Sequence, residues 1–166
     1  MQRSDNMEII EYEDKYLEDV KDLLVELEEY VIHIDQDHLD QMHPEYRDKI
    51  AIINLEKIKN NNGKCFLAIK NNTVIGLIMG IIRKYDELDY LDYKCPKQGE
   101  ITEFIVSKKI RSNGVGQLLI NKMEEYFKSL DCEYIIVDIF AYNDNALKFY
   151  NKSGYHPRMI TSIKKI

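Results

Sequence analysis

The sequence predicts one domain of the α/β class, in which a mixed sheet carries helices on its faces. Short apolar segments of strand length alternate with longer segments that have helical periodicity. One run, VIGLIMGII at 74–82, is apolar at nearly every position, which is typical of a central strand covered on both sides. A chain of 166 residues fits one hydrophobic core, so a single domain over 1–166 is expected.

The first half of the chain is predicted to hold three strands and two helices. Strands are expected over 7–11, 65–70 and 74–82, and helices over 14–32 and 46–60. In each helix, apolar residues recur at steps of three and four and mark the buried side. They are Leu17, Val20, Leu24, Leu27 and Val31 in the first helix, and Ile50, Ile53, Leu55 and Ile58 in the second.

The second half is predicted to continue with strands over 101–106 and 134–140 and helices over 114–130 and 145–152. A long polar loop, 83–100, precedes the first of these strands, and loops of this length are often functional. Residues 160–166 alternate between apolar and polar, which predicts a last strand. The expected order is therefore β-α-α-β-β-β-α-β-α-β.

Charge and hydropathy narrow the classes of function. The net charge is -6, whereas broad nucleic-acid binding usually leaves a basic footprint, so no nucleic-acid partner is expected. No apolar run is long enough to span a bilayer, and the first ten residues lack the apolar core of a signal peptide. We therefore expect a cytoplasmic protein without a membrane partner.

The cysteines and histidines do not suggest a metal or redox centre. Cys65, Cys95 and Cys132 are far apart and form no CxxC pair, so reduced thiols are expected. His33 and His38 are five residues apart, as are His38 and His43, which is not the i,i+4 spacing of two ligands on one helical face. No metal is expected.

Cations and glycines are concentrated where the fourth strand leads into a helix. Lys108, Lys109 and Arg111 precede Gly114 and Gly116. The first turn of a helix has unpaired N–H groups and a partial positive charge, and glycine lets an anion approach the backbone. The segment therefore suits a phosphorylated ligand. The alternative is a solvated turn in which the glycines only allow the backbone to turn and bind no ligand. Neither a Walker A loop nor a GxGxxG fingerprint is present.

Two segments together resemble the GNAT superfamily of acyl-CoA N-acyltransferases. RSNGVG at 111–116 resembles the R/Q-x-x-G-x-G/A signature that this family places after its fourth strand. VDIFAYNDNALKFYNKSGYHPR at 137–158 is similar to the family's second conserved block, here with Asn143, Ala146, Phe149, Tyr150, Gly154 and Tyr155. The resemblance is strong over 101–155 and weak before residue 65. It implies a central, mostly antiparallel mixed sheet flanked by helices.

The resemblance also implies acetyl-CoA as cosubstrate and assigns residues to it. Backbone groups of Ile105 and Val106 would pair with the pantetheine arm, and Asn143 would contact the same region. The pyrophosphate would be held by backbone N–H groups of the signature, namely Arg111, Ser112, Asn113, Gly114, Val115 and Gly116. Tyr150 would lie near the thioester sulfur.

The implied reaction, acetyl transfer from a thioester to a primary amine, requires an acid and a base. The amine must lose a proton before it attacks, and a carboxylate can accept that proton directly or through water. Glu103 is the predicted base because strand alternation puts it on the same face as Ile105, and Glu100 is a weaker candidate. Tyr150 is the predicted acid for the leaving thiolate. Otherwise Glu103 is an exposed strand residue and Tyr150 a packing residue.

Acidic residues outside the two motifs raise the question of the acceptor. They are abundant over 11–48 and in the Tyr-rich stretch 85–93, segments that border the acceptor cleft in the family. An acidic rim would attract a cationic amine such as a polyamine, an aminoglycoside, a lysine or a peptide amine. The alternative is that these residues are solvated faces.

Two other classes of function remain open at this point. One is a non-catalytic, CoA-binding regulatory domain of the same fold, and the other is an enzyme for a different phosphorylated ligand. Family members are often dimers, so a homodimer is also left open.

Overall fold

The computed structural model describes residues 7–110 and 114–166, and within these ranges the chain forms five strands and five α-helices. The strands are β1 (Met7–Glu11), β2 (Lys64–Lys70), β3 (Thr73–Ile82), β4 (Gln98–Val106) and β5 (Tyr134–Val137). The helices are α1 (Leu17–Ile34), α2 (Tyr46–Asn60), the short α3 (Asp89–Asp92), α4 (Val115–Ser129) and α5 (Asp144–Lys152). Two 3-10 turns, Asp14–Tyr16 and Lys108–Ile110, precede α1 and follow β4.

The strands form one sheet in the order β1-β2-β3-β4-β5. The first four strands pair antiparallel, and β5 pairs parallel with β4. The β2–β3 connection turns through Asn71 and Asn72, whose φ angles are 49° and 62°. Two left-handed residues in a row match the twist of a hairpin, and asparagine tolerates this conformation well. The predicted mixed, mostly antiparallel sheet is therefore confirmed.

The two faces of the sheet carry separate hydrophobic cores. On one face, α1 and α2 bury Val20, Leu24 and Ala51 against side chains that include Leu67, Leu77 and Met79. On the other face, α4 and α5 bury Leu119, Met123, Phe127 and Tyr150 against a set that includes Phe66, Ile78 and Ile101. The central strands β2 and β3 contribute to both cores, which explains why their sequences are apolar at consecutive positions.

The structure corrects several predicted elements. The last strand, predicted over 160–166, is absent from the described residues, and Met159, Ile160 and Ile163 are largely exposed. Alternation stabilises a strand only where a neighbouring strand pairs with it, and none of the five described strands pairs with this segment. The strand predicted over 134–140 ends at Val137 because its pairing with β4 ends there.

Helix boundaries and faces differ in detail from the sequence pattern. Residues 14–16 form a 3-10 turn before α1, which extends to Ile34. In α2 the buried stripe is Ala51, Asn54 and Ile58, whereas the predicted core residue Ile53 is 56% exposed. The other predicted core residues, Ile50, Leu55 and Ile58, do pack against the core, so the predicted side of the helix is right and only Ile53 is misplaced.

Candidate active site

The site is built around the half of β4 that extends beyond β5. Pairing between the two strands covers only Gln98 to Ile101 on β4, opposite Tyr134 to Val137. Further along, Ile105 and Val106 pair with β3 on one side. On the other side, no strand within the described residues pairs with them. A free strand edge offers backbone N–H and C=O groups to an extended ligand.

A β-bulge in β4 decides which side chains face α2. Gly80 is opposite Ile101, and the next residue of β3, Met79, is opposite Glu103, so Thr102 is the extra residue. In a regular strand Glu100 and Glu103, three residues apart, would point to opposite faces. The bulge brings both carboxylates to the face that α1 and α2 cover. The predicted common face of Glu103 and Ile105 agrees with this arrangement.

Glu103 lies half-buried beneath α2. The side-chain amide of Asn54 donates a hydrogen bond to its Oε1 at 3.1 Å. Burial raises the pKa of Glu103 above its ordinary value, and Glu28 raises it further, while Asn54 and Lys57 act against this shift. Glu28 itself accepts a hydrogen bond from the Tyr46 hydroxyl at 3.2 Å. A carboxylate with a raised pKa is a stronger base once it is ionised, as general-base catalysis requires.

Tyr150 lies on the opposite face of the sheet, on α5. Its ring is buried among Phe104, Phe149 and Tyr155, with ring centroids 5.2–6.1 Å away. Burial raises the pKa of Tyr150, so its hydroxyl stays protonated at neutral pH. Within the described residues, no fully buried polar side-chain atom lacks a hydrogen-bond partner. Tyr150 is 4% exposed, so its ring is enclosed.

The start of α4 lies just beyond the end of β4. Gly114 is the residue before the helix and has φ of 72°, a left-handed conformation that glycine adopts without strain. As a glycine, Gly114 has no side chain to cap this helix, and the first-turn N–H groups of a helix have no partner within the helix itself. Gly116 lets the helix pack closely, because a Cβ there would lie 3.3 Å from the ring of Phe104. Arg111, Ser112 and Asn113, the first half of the predicted motif, lie outside the described residues.

Glu26 of α1 holds the other end of this connection. Its carboxylate accepts hydrogen bonds from the Ser107 hydroxyl at 3.1 Å and from the backbone N–H of Lys108 at 2.6 Å. The contact ties the end of β4 to α1 and so orients the chain that leads to the predicted phosphate-binding turn. Sequence patterns do not indicate it, because the partners are more than eighty residues apart.

Asn143 is the N-cap of α5. Its side-chain oxygen accepts a hydrogen bond from the backbone N–H of Ala146 at 3.0 Å and lies 3.4 Å from the Tyr30 hydroxyl. Tyr30 also lies 3.4 Å from the side-chain amide of Asn145. These contacts join α1 to the chain after β5. The predicted contact of Asn143 with the pantetheine arm stays a prediction beside this capping role.

A cavity of about 430 Å³ opens on the same face as Glu103. It is lined by Lys57, Asn61, Ile81, Arg83, Lys84, Glu100, Ile136 and Asp138. Glu100, the weaker candidate base, forms an ion pair with Lys57 at 3.7 Å within this cavity. Asp138 follows β5 and was not singled out from the sequence, because a lone aspartate after a strand carries no distinctive pattern.

Many of the acidic side chains that suggested a cationic acceptor have structural partners. Glu18 and Asp22 of α1 pair with Arg47 of α2 at 3.0 and 2.8 Å. Asp35 accepts hydrogen bonds from backbone N–H groups of the loop after α1, which lowers its pKa. Asp86 and Asp89 each accept a hydrogen bond from the other's backbone. These carboxylates stabilise the helix pair and the loops that carry them.

In residues 7–110 and 114–166, no group of three or more histidine, cysteine or acidic side chains is placed to hold a metal ion. Cys65, Cys95 and Cys132 are free thiols. No helix in the same ranges has the length and apolar character needed to cross a bilayer.

The family of this chain follows from comparison with known proteins. The model of the acetyltransferase (GNAT) family matches residues 19–155. The chain therefore belongs to the GNAT acetyltransferase family, as the two motifs predicted.

Curated relatives match over part of their length. The chain is 32% identical over 63 residues to an uncharacterized N-acetyltransferase of Methanocaldococcus jannaschii, covering 37% of this chain and 40% of the relative. It is 30% identical over 91 residues to human N-alpha-acetyltransferase 30, covering 55% of this chain and 23% of the relative. The chain thus matches less than half of the length of either protein.

Solved structures share the fold over nearly the whole chain. A putative acetyl transferase from Pyrococcus furiosus has a TM-score of 0.71 at 23% identity, covering 97% of this chain and 100% of that one. A GCN5-related N-acetyltransferase from Ralstonia eutropha has a TM-score of 0.73 at 17% identity, with 96% and 99% covered. AAC(6')-Iy, bound to a bisubstrate analogue of CoA and acetylneamine, has a TM-score of 0.67 at 19% identity, with 97% and 99% covered.

Proposed function

We propose that this protein is an acetyl-CoA-dependent N-acetyltransferase that moves an acetyl group directly to a primary amine. The observation that carries the proposal is the placement of Glu103 and Tyr150 on opposite faces of β4, beside its free edge. A base on one face and an acid on the other can serve two reactants that meet at that edge. We also propose that the reaction takes place in the cytoplasm.

The residues present fit the cosubstrate. The free edge of β4 at Ile105 and Val106 suits an extended amide-bearing arm, and the start of α4 at Gly114, Val115 and Gly116 suits a pyrophosphate. Acetyl-CoA, when bound, supplies a thioester whose acyl carbon accepts the amine. We propose that Arg111, Ser112 and Asn113 complete the phosphate contacts, as their motif implies.

Glu103 acts as the general base. The carboxylate accepts a proton from the acceptor ammonium, directly or through water, and leaves a neutral nitrogen with a free electron pair. That nitrogen forms a bond to the acyl carbon, and a backbone N–H at the free edge of β4 stabilises the oxyanion that develops. The hydrogen bond from the Asn54 amide favours the ionised form of Glu103 that this step needs.

Tyr150 acts as the general acid. When the carbon–sulfur bond breaks, its electron pair goes to sulfur, and the Tyr150 hydroxyl donates the proton that converts the thiolate to a thiol. The raised pKa keeps this proton in place at neutral pH. The acylated nitrogen loses its second proton as the carbon–sulfur bond breaks, and this proton restores the Tyr150 hydroxyl through solvent. The products are an N-acetyl amine and CoA, and no covalent enzyme intermediate is needed. Cys65 is buried with a raised pKa, which argues against a thiolate nucleophile there.

The first test measures CoA release from acetyl-CoA with spermidine, an aminoglycoside, free lysine and a short peptide as acceptors. Glu103→Gln and Tyr150→Phe should each reduce kcat at least about a hundredfold, the scale of general acid–base catalysis. Both variants should keep the rise in Tm that saturating acetyl-CoA gives the wild type, about 2.7 kcal/mol of stabilisation at a hundred times Kd.

Two results would argue against the proposal. A rise in Tm with CoA but no transfer to any amine would favour a non-catalytic CoA-binding domain. A rise in Tm with ATP or NAD and none with acetyl-CoA would favour a different phosphorylated ligand.

A further inference from the structure

The cavity beside Glu103 combines an apolar floor with charged walls. Ile81 and Ile136 form the floor and lie in one row across the sheet with Glu100 between them. The charged groups are three cations and two carboxylates, namely Lys57, Arg83, Lys84, Glu100 and Asp138. Its volume of about 430 Å³ is in the range of sites for small organic ligands. The cavity can therefore hold part of a polar substrate.

The contacts between α2 and β4 show how near this cavity lies to Glu103. Asn54 contacts Glu103, and one turn later Lys57 contacts Glu100. The bulge at Thr102 keeps both carboxylates on this face. The cavity therefore begins one helical turn from Glu103, on the same face of the sheet.

The cavity carries an excess of positive charge, although the protein as a whole is acidic. Lys57 and Glu100 neutralise one another across 3.7 Å. Arg83 and Lys84 form no ion pair with any carboxylate in the part of the chain that the structure describes. Together with the single negative charge of Asp138, these two cations give the cavity lining one net positive charge. Arg83 stacks over Tyr85 at 5.6 Å, and Lys84 Nζ donates to the Asn60 carbonyl at 3.1 Å. These contacts hold both cations at the cavity wall.

We propose that this cavity binds a carboxylate of the acceptor through Arg83 and Lys84, so that the acceptor is a peptide-like amine rather than a polycation. The inference rests on the proposed function and names the substrate class of the same site. An arginine recognises a carboxylate through paired, charge-assisted hydrogen bonds. A polyamine or aminoglycoside would bring further positive charge to the same wall and would be repelled.

The spacing of the strand sets the length of the acceptor. Glu103 is opposite Met79, whereas the cavity residues Ile81 and Arg83 lie two and four residues further along β3 and its continuation. At about 3.4 Å per residue, the amine and the carboxylate are roughly 7–14 Å apart. The carboxylate can belong to the C-terminus of a short peptide or to an acidic side chain near the amino end. The amine and carboxylate of a single α-amino acid are too close together to reach both.

The experiment compares acceptors that differ only in this carboxylate. The probes are trialanine, trialanine amide, Ala-Glu-Ala amide and spermidine, and CoA release is followed by chromatography so that protein thiols do not interfere. For the wild type, trialanine or Ala-Glu-Ala amide should have a KM about tenfold lower than trialanine amide, as loss of one charged contact predicts. Which of the two acids is better shows whether the carboxylate comes from the C-terminus or from a side chain.

Variants then locate the contact. Arg83→Gln should raise KM for the preferred acid about tenfold while kcat and the KM for trialanine amide stay within about twofold of the wild type. Lys84→Gln should act in the same direction. Lys59→Gln, which removes an exposed lysine of α2 outside the cavity, is the matched control and should leave every KM unchanged.

The outcomes separate this inference from the proposed function. The carboxylate subsite is refuted if spermidine or trialanine amide is acetylated as well as the acids are. It is also refuted if Arg83→Gln impairs transfer to the acid and to the amide equally. Either result leaves the proposed acetyltransferase activity intact. If no amine is acetylated, an NMR titration of CoA-saturated protein still decides the subsite. Tighter binding of trialanine than of its amide, lost in Arg83→Gln, supports it. Equal binding, or none, overturns it.

Discussion

Removal of the Asn54 side chain should change the pH dependence of catalysis rather than its maximum. The Asn54 amide donates to the ionised form of Glu103 at 3.1 Å and thereby opposes the rise in the pKa of Glu103 that burial causes. In Asn54→Ala that opposition is lost, so the pKa of Glu103 rises further above its ordinary value. At any pH on the acid side of this pKa, a smaller fraction of Glu103 is ionised and able to act as a base.

The magnitude follows from one hydrogen bond to a charged group. Such a bond contributes about 1.5–3 kcal/mol, and water that enters the half-buried site replaces part of it. We therefore take about 1.5 kcal/mol, which corresponds to roughly a tenfold loss of kcat/KM on the acid limb of the profile. On the alkaline side, where Glu103 is ionised in both proteins, the two rates should converge.

The assay is kcat/KM for one acceptor from pH 5.5 to 9, given as the ratio of variant to wild type so that ionisation of the acceptor cancels. Asn60→Ala is the control, because Asn60 is an exposed residue of the same helix whose carbonyl contact with Lys84 survives the substitution. A ratio for Asn54→Ala that does not depend on pH would refute the reasoning. It would show that Asn54 supports the fold or the acceptor and does not tune the base.

Two further predictions concern stability. In Gly99→Ala the new Cβ would lie 2.5–2.6 Å from three ring atoms of Phe127, which is 1% exposed, so we expect a loss of about 1–3 kcal/mol and a fall in Tm of roughly 3–10 °C. A double-mutant cycle with Phe127→Leu should show that the two losses are less than additive, and strict additivity would exclude the overlap as the cause. Glu103→Gln should raise Tm relative to the wild type at pH 8 but not at pH 4. Because burial raises the folded-state pKa of Glu103, its contribution to stability is fully present below the unfolded-state pKa and lost as the pH rises through the folded-state pKa. An equal effect of Glu103→Gln on Tm at both pH values would contradict this assignment.

The elements of the fold could be predicted well from the sequence where local periodicity determines them. The apolar run of β3, the amphipathic α4 and the strand-turn-helix around Gly114 are each encoded within a few consecutive residues. The two family motifs are likewise local, and the second contains Tyr150, whereas Glu103 was predicted from the alternation of the strand that holds Ile105. The predictions failed where a segment needs a distant partner, as in the last strand over 160–166 and in the exposed Ile53.

The candidate site shows the same division. The sequence by itself determined the family, the glycine-containing motif at the start of α4 and the candidate acid and base. Only the tertiary structure decided that a bulge at Thr102 puts Glu100 and Glu103 on one face and that Asn54 contacts Glu103 from a position 49 residues away. The tertiary structure likewise decided that Arg83 and Asp138 line one cavity. The physical reason is that periodicity reports which way a side chain points from its own element, whereas the pKa of a base and the charge of a cavity depend on groups that meet only when separate elements pack together.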